Sequence, residues 1–404
     1  MSLDLDLVRR VRDRLTDSGA APTPGALITA VRAEPGPAAL GAATLLRLGD
    51  RLHDELAGAG PLTELLADPA VTDILVNGPG DVWVDRGAGL ERTALRFVDA
   101  QGFADAQAVR VLAQRLAAAG GRRLDDACPY VDTRLPDGTR LHAVLPPVAV
   151  DGPLLSLRTF RHRAFSLDNL VRAGTLTADS AALVEAIVRA RLSYVISGGT
   201  GSGKTTLLAT LLGRVPVHER IVVVEDSTEL RPHHPHVVAL QARPSNVEGR
   251  GAVGLRDLVR QALRMRPDRL VVGECRGAEI VDLLGALNTG HEGGAGTLHA
   301  NTAADVPARL EALGLLGGLP RAALHAQVVA ALQVVLQVRR SPEGRVLESV
   351  SVLLPSGEQR LATVVPAWRR ARGAGPAATA LARLLAGRGI GAPAVLEPPV
   401  GVGS

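Results

Sequence analysis

Eight consecutive residues, Gly198-Gly199-Thr200-Gly201-Ser202-Gly203-Lys204-Thr205, combine the three features needed to hold a polyphosphate. Glycines let the backbone turn its N–H groups inward toward phosphate oxygens. A helix opening at the end of the loop adds partial positive charge. Lys204 can bridge the β- and γ-phosphates, and the Thr205 hydroxyl, followed by Thr206, can take a place on Mg²⁺. The spacing therefore predicts a cradle for ATP and Mg²⁺. Composition sharpens the point, because of 45 basic residues 44 are Arg and one is Lys, and that one is Lys204. A compact ammonium reaches between phosphate oxygens where a planar guanidinium does so poorly.

Holding phosphate is not yet hydrolysis, which also needs a carboxylate to support the metal and another to align water. Two apolar runs end in acids. IVVVEDSTEL reaches Glu225 and Asp226, with Glu229 one helical turn on, and RLVVGECRGAE reaches Glu274, with Arg276 and Glu279 following. A carboxylate at the C-terminal end of a parallel strand faces the crevice where α/β sheets bind ligands. Either set alone reads equally well as solvated strand-end acids; beside a phosphate cradle both become catalytic candidates. The stretch NTGHEGGAGTLHAN carries His291 and His299, of which one or both can face the γ-phosphate, or serve structure only. Two histidines eight apart without cysteines make a poor zinc site.

The elements that must position these groups follow from periodicity. Tyr194–Ser197 reads as a strand, the helix after the glycine loop as Thr205–Leu212, and Ile221–Val224 and Leu270–Val272 as strands buried on both faces. With a helix over Ala181–Arg191 this is an α/β alternation around a parallel sheet. A late hairpin joins Val334–Arg340 to Arg345–Leu353. Upstream, short strands at Val71–Val76, Val82–Val84 and Leu154–Phe160, a hairpin over Arg134–Val144 and a helix over Ala104–Ala119 suggest a smaller α/β domain. The boundaries expected are a helical segment 1–60, including a helix over Leu40–Leu56, then the α/β domain 61–163, a linker 164–174, a nucleotide-binding domain 175–365, and an Ala/Gly/Pro/Arg-rich tail 366–404, partly disordered.

With 46% apolar and 21% charged residues, the chain is globular in composition. A net charge of +4 spread over scattered arginines, with only 2% aromatic residues, gives nucleic acid little to bind and almost nothing to stack on. A weak attraction to anionic lipid headgroups stays open. The N-terminus alternates apolar and charged residues, unlike a signal peptide, and no run of 18 uncharged apolar residues predicts a transmembrane helix. Two cysteines, Cys128 and Cys275, form no framework, which fits a reducing cytoplasm.

Taken together, GGTGSGKT, VVVEDSTEL, LVVGECRGAE and NTGHEGGAGTLHANT resemble, in that order, the Walker A, Asp box, Gly-Glu Walker B and His box of the type II and type IV secretion ATPases. Within that superfamily, GAGPLTELLADPAVTDILVNGPGDVWVDR, RLPDGTRLHAVLPP and LLSLRTF resemble the N-terminal domain of the TadA/CpaF branch, which assembles tight-adherence (Flp) pili; the tetracysteine zinc module of the type II motors is missing. The resemblance implies a RecA-like P-loop domain behind a PAS-like N-terminal domain, in a homo-hexamer at the inner face of the cytoplasmic membrane. Its work would be ATP hydrolysis driving an inner-membrane platform protein. The alternative is a conjugation-type ATPase moving DNA or nucleoprotein, and a nucleotide-gated scaffold without turnover is a third reading. By residue, the resemblance implies that Glu225 polarises water, Glu274 supports Mg²⁺ through its water shell, and His299 more than His291 senses the γ-phosphate. It makes Arg140 and Arg158 arginine fingers, with Arg134 and Arg161 as understudies. Cys275, where Val or Met is usual, is expected to be packing.

Overall fold

The computed structural model describes residues 5–18, 23–34, 44, 46, 48–49, 52, 58–87, 89–99, 101–159, 165–243, 245, 250–341 and 344–397. The helix expected over 40–56 and the finger candidate Arg161 fall wholly or mostly outside them. The chain divides into two compact units, residues 1–161 and 162–404.

The first unit opens with helices α1 (Leu5–Ser18) and α2 (Pro24–Arg32), then a short α3 (Thr63–Ala67). Val11 and Leu15 of α1 pack on Leu27 and Val31 of α2, and Glu34 accepts from Arg10 and Arg14. Its sheet contains β1 (Asp73–Asn77), β2 (Val82–Asp85), β3 (Leu90–Arg92), β4 (Tyr130–Arg134), β5 (Arg140–Val144) and β6 (Leu154–Arg158). The strands run antiparallel in the order β3-β2-β1-β6-β5-β4. Alternation puts Ile74, Val84, Leu141 and Leu157 on one face, where α4 (Ala106–Ala119) covers them with Val109, Leu112 and Leu116. Asp105 caps that helix by accepting from the Ala108 amide at 2.9 Å. The opposite face carries the alternate residues, among them Arg134, Arg140 and Arg158, paired in register across β4, β5 and β6.

The second unit begins with α5 (Leu167–Arg172) and α6 (Ala178–Arg189), and continues through β7 (Tyr194–Ser197), α7 (Lys204–Leu212), β8 (Ile221–Glu225) and β9 (Val237–Gln241). After these come α8 (Leu255–Ala262), β10 (Arg269–Val272), α9 (Glu279–Asn288), β11 (Ala295–Leu298), α10 (Val306–Leu316) and α11 (Arg321–Ala331). The unit ends with β12 (Val334–Ser341), β13 (Gly344–Ser356), β14 (Leu361–Arg369), β15 (Gly373–Ala374) and α12 (Ala378–Ala386). The sheet order is β15-β14-β13-β12-β7-β11-β10-β8-β9; β12 to β9 pair in parallel and the remaining edge is antiparallel. Strands β8 and β10 carry unbroken apolar runs, Ile221–Val224 and Leu270–Val272, because each face meets helices. Ile221 and Val223 enter the core with α6 and α7, whereas Val222 and Val224 enter the core with α8 and α9.

Residues 366–397 of the Ala/Gly/Pro/Arg-rich segment are folded: Trp368, Leu381 and Leu385 are buried in the first of those cores, and α12 is amphipathic despite its low-complexity composition. Within the glycine-rich stretch before His299, Gly293 (φ 74°) turns the chain and Ala295–Leu298 follow as the central strand β11. Gly294, between them, answers to crowding, since a Cβ there would stand 2.5 Å from Leu287 Cδ2 and 2.7 Å from the Leu270 carbonyl oxygen.

Candidate nucleotide site

Strand β7 ends at Ser197 and the chain turns through the glycine loop into α7, at the C-terminal end of the parallel strands. Gly201 (φ 69°) and Gly203 (φ 96°) sit in the left-handed region that side chains resist. A Cβ on Gly198 would lie 2.4 Å from the Val338 carbonyl oxygen and 2.6 Å from Ser202 Oγ, so the loop tolerates nothing larger there. Ser202 donates to the Gly199 carbonyl at 2.8 Å, drawing the loop tight. The first amides of α7 have no partner within the helix, as at any helix start.

Lys204 is 7% exposed, and its ammonium donates to the carbonyls of Gly198 (3.1 Å) and Gly199 (3.0 Å). Burial lowers its pKa, opposed by the charge of Glu274. His299, just beyond β11, brings Nε2 to 3.5 Å from Lys204 Nζ and 2.5 Å from Glu274 Oε1. Burial and the Lys204 charge lower the His299 pKa, which favours a neutral imidazole shared between ammonium and carboxylate. Glu274 Oε2 accepts from Arg276 at 2.6 Å. Burial pushes the Glu274 pKa up, but the Arg276 hydrogen bond and charge outweigh it and leave the group ionised.

Glu225 ends β8, 5% exposed, with Oε1 accepting from the amides of Glu229 and Leu230, both at 3.0 Å. Its other oxygen, Oε2, is buried and has no hydrogen-bond partner among the described residues. Burial raises the pKa to about 7, against the pull of those two amides. A carboxyl poised near neutrality with one unspent oxygen is chemically equipped to take a proton from water. The side chain lies over Gly273, where a Cβ would stand 2.5 Å from Glu225 Cγ. This is the physical reason for glycine before Glu274.

The sequence candidates thus divide. Lys204, Glu274 and His299 form one contact cluster at the glycine loop, with Glu225 packed over Gly273, next to Glu274. His291 lies apart from that cluster, its Nδ1 3.2 Å from the Ala286 carbonyl at the end of α9. Asp226 is exposed, and Glu279 folds back to accept from the amides of Arg276 and Gly277. Cys275 is buried in the second core, where burial raises its thiol pKa. In the first unit, Arg140 donates to Asp132 at 3.1 and 2.7 Å, and Arg158 lies 4.0 Å from Asp73.

Two residues at the loop went unnoticed in sequence. Arg345 of β13 donates from Nε to the Gly201 carbonyl at 2.9 Å and lays its Cδ against Gly203. Gln337 of β12, 2% exposed, accepts from Ser197 at the loop's entrance and donates to the Asn301 carbonyl, beyond His299, at 3.0 Å. An amide within the apolar run VVLQV was the signal available for Gln337. For Arg345 no signal was available, since it comes to the loop only by strand pairing.

The family described as type II/IV secretion system protein matches residues 55–357. A Mycobacterium tuberculosis protein provisionally named for conjugal transfer is 56% identical over 343 residues, which is 83% of this chain and 96% of that protein. The conjugal transfer protein TrbB of Rhizobium radiobacter is 32% identical over 309 residues, 75% of this chain and 88% of that protein. The crystal structure of the pilus retraction motor PilT with ADP aligns at TM-score 0.51 and 21% identity over 74% of this chain and 83% of its own, a likeness of fold. The narrower likeness to the TadA/CpaF branch is not what these relatives carry, because the names of the first two point to conjugal transfer. The chain belongs to the type II/IV secretion system protein family.

Proposed function

We propose that the chain is an ATP-hydrolysing motor subunit of a secretion-type machine, with the glycine loop holding ATP and the Glu225 carboxylate activating water. The observation that carries this reading is the pairing of a buried ammonium on the loop carbonyls with a neighbouring carboxyl held near neutrality and short of a partner. The residues fit a magnesium–nucleotide complex: amides at the start of α7, the Lys204 ammonium and the Thr205 hydroxyl are the donor set such a complex needs. In this reading Thr205 holds Mg²⁺ directly and Glu274 through water. The ion supplies charge neutralisation at the β- and γ-phosphates. Gly198 to Gly203 shape the loop, Thr206 adds an amide, and Glu225 takes the proton from the attacking water. His299, in contact with both Lys204 and Glu274, registers whether the γ-phosphate is present.

Arg140 and Arg158 supply the arginine fingers in this proposal. Their register with Arg134 across β4, β5 and β6, beside Asp132 and Asp73, supports one shared role for this row. The assembly is a homo-hexamer acting on a membrane platform from the cytoplasmic side. Among the described residues no helix is long and apolar enough to cross a membrane.

The names of the relatives favour export linked to conjugal transfer over Flp pilus assembly. The pilus reading rests on N-terminal segments such as Gly58 to Arg86 and stands second. One experiment separates these proposals: phosphate release by the wild type, Lys204→Ala and Glu225→Gln, with and without DNA. Glu225→Gln should retain ATP and release almost no phosphate; normal turnover removes the water-activating role. Stimulation by DNA that fades with salt favours a DNA-moving machine. Gel filtration with a non-hydrolysable nucleotide tests the hexamer.

A further inference from the structure

The antiparallel edge of the second sheet, much of it beyond the stretch that matches the family, encloses a cavity of about 400 Å³ between β12, β13, β14 and the turn after Asn301. Four guanidinium groups line it, from Arg339, Arg369, Arg370 and Arg372, against a single carboxylate, Glu348. Glu348 is engaged by Arg339 at 3.1 Å. Arg370 is fixed as a wall, donating to the carbonyls of Gly174 (2.7 Å) and Thr175 (3.0 Å). The side chains of Arg369 and Arg372 have no ion-pair or hydrogen-bond partner among the described residues. On the cavity floor, Ser351 is 1% exposed and its hydroxyl is buried without a hydrogen-bond partner. Buried hydroxyls are ordinarily satisfied, and an orphan facing a cavity marks a place for a ligand oxygen. Strand register sets Gln337, Ser349 and Arg369 side by side across β12, β13 and β14, so amide, hydroxyl and guanidinium line up in one row.

We propose that this cavity is a second anion site, separate from the glycine loop, that binds the phosphate of a phosphorylated polyol. Arginine forks match phosphate oxygens in bidentate geometry, and the excess of three positive charges over the one carboxylate favours an anion. The volume suits a small molecule rather than a polymer. No aromatic residue lines the cavity, so nothing there stacks on a nucleobase, while Ser351 offers the hydroxyl partner that a sugar or glycerol takes. The same group can arrive free, as a sugar phosphate, or on a membrane, as a glycerophospholipid headgroup.

The test fills the glycine loop first, with Mg²⁺ and a non-hydrolysable ATP analogue, on the full chain. Ribose 5-phosphate is then titrated by calorimetry, and binding to phosphatidylglycerol vesicles is followed by sedimentation against phosphatidylcholine. The wild type should bind one further equivalent of ribose 5-phosphate, or sediment with the anionic vesicles alone, and whichever arm responds names the source. Arg369→Ala/Arg372→Ala should weaken that binding at least tenfold while leaving ligand-free ATP turnover and thermal midpoint unchanged. Glu348→Gln, which deletes the single opposing charge, should tighten it two- to threefold. Absence of binding in both arms overturns the proposal. So does equal binding by the double variant, or a double variant whose sole change is in oligomeric state.

Discussion

At the N-terminal ends of β8 and β10, Glu219 accepts from Arg269 at 2.6 Å and from Arg191 at 3.0 Å. Arg269, 1% exposed, gives two further hydrogen bonds to the carbonyls of Gly293 (3.2 Å) and Val188 (3.1 Å). At the C-terminal ends of the same strands, Glu225 is as deeply buried as Glu219 yet keeps one oxygen unspent, and close by the Lys204 ammonium rests on loop carbonyls. Both ends bury charge. They differ in whether the hydrogen-bonding capacity is used up. Saturated, a buried charge is a rivet; unsaturated, it is kept ready for a ligand or a proton.

Breaking the rivet should have the largest effect. Glu219→Ala leaves Arg269 buried and unpaired, and we expect a loss of about 3–5 kcal/mol in unfolding free energy by denaturant titration. Turnover per folded molecule should hardly change. The opposite end can be sharpened by pH. The folded chain keeps a proton on Glu225 up to about pH 7, while in the unfolded chain the carboxyl loses it near its ordinary 4.5. The native state therefore binds more protons between those values, and stability falls as pH rises through the window, by about 3 kcal/mol for this group. Glu225→Gln should flatten that slope in melts at pH 5 and pH 8. Wild-type phosphate release should show an acid limb rising toward a midpoint near 7.

Gly273→Ala pushes a methyl group into Glu225 without touching the phosphate loop, an overpacking cost of about 1–3 kcal/mol. Nucleotide retention should survive, and turnover should drop at least tenfold as the carboxyl is displaced. The mildest change is His299→Ala, expected to cost about tenfold in turnover, near 1.4 kcal/mol, with stability unaltered. A variant that hydrolyses at the wild-type rate removes His299 from the γ-phosphate contact.

The glycine loop and its flanking strand were legible because their chemistry is written in consecutive residues. The loop, Tyr194–Ser197 and the start of α7 all depend on local spacing. The apolar strands β8 and β10 were legible for the same reason, since burial on both faces leaves an unbroken run. Strand β11 was not, because it spans only Ala295–Leu298, holds a glycine itself, and follows directly on the turn at Gly293. The segment that forms α12 was hidden by composition: Ala, Gly and Arg at high density mask the few leucines that find the core. Gln337 and Arg345 reach the site through the pairing of β12 with β7 and β13, a relation that no window along the chain contains.

The packing of Glu225 over Gly273 ties together two positions 48 apart in sequence. Neither can drift alone. A side chain at 273 evicts the carboxylate, whereas a shorter acid at 225 leaves a gap over the glycine and draws the oxygens back from the cleft. Substitutions at these sites are expected to be tolerated only in compensated pairs, so that in a library randomised at both positions, survivors should be correlated rather than independent.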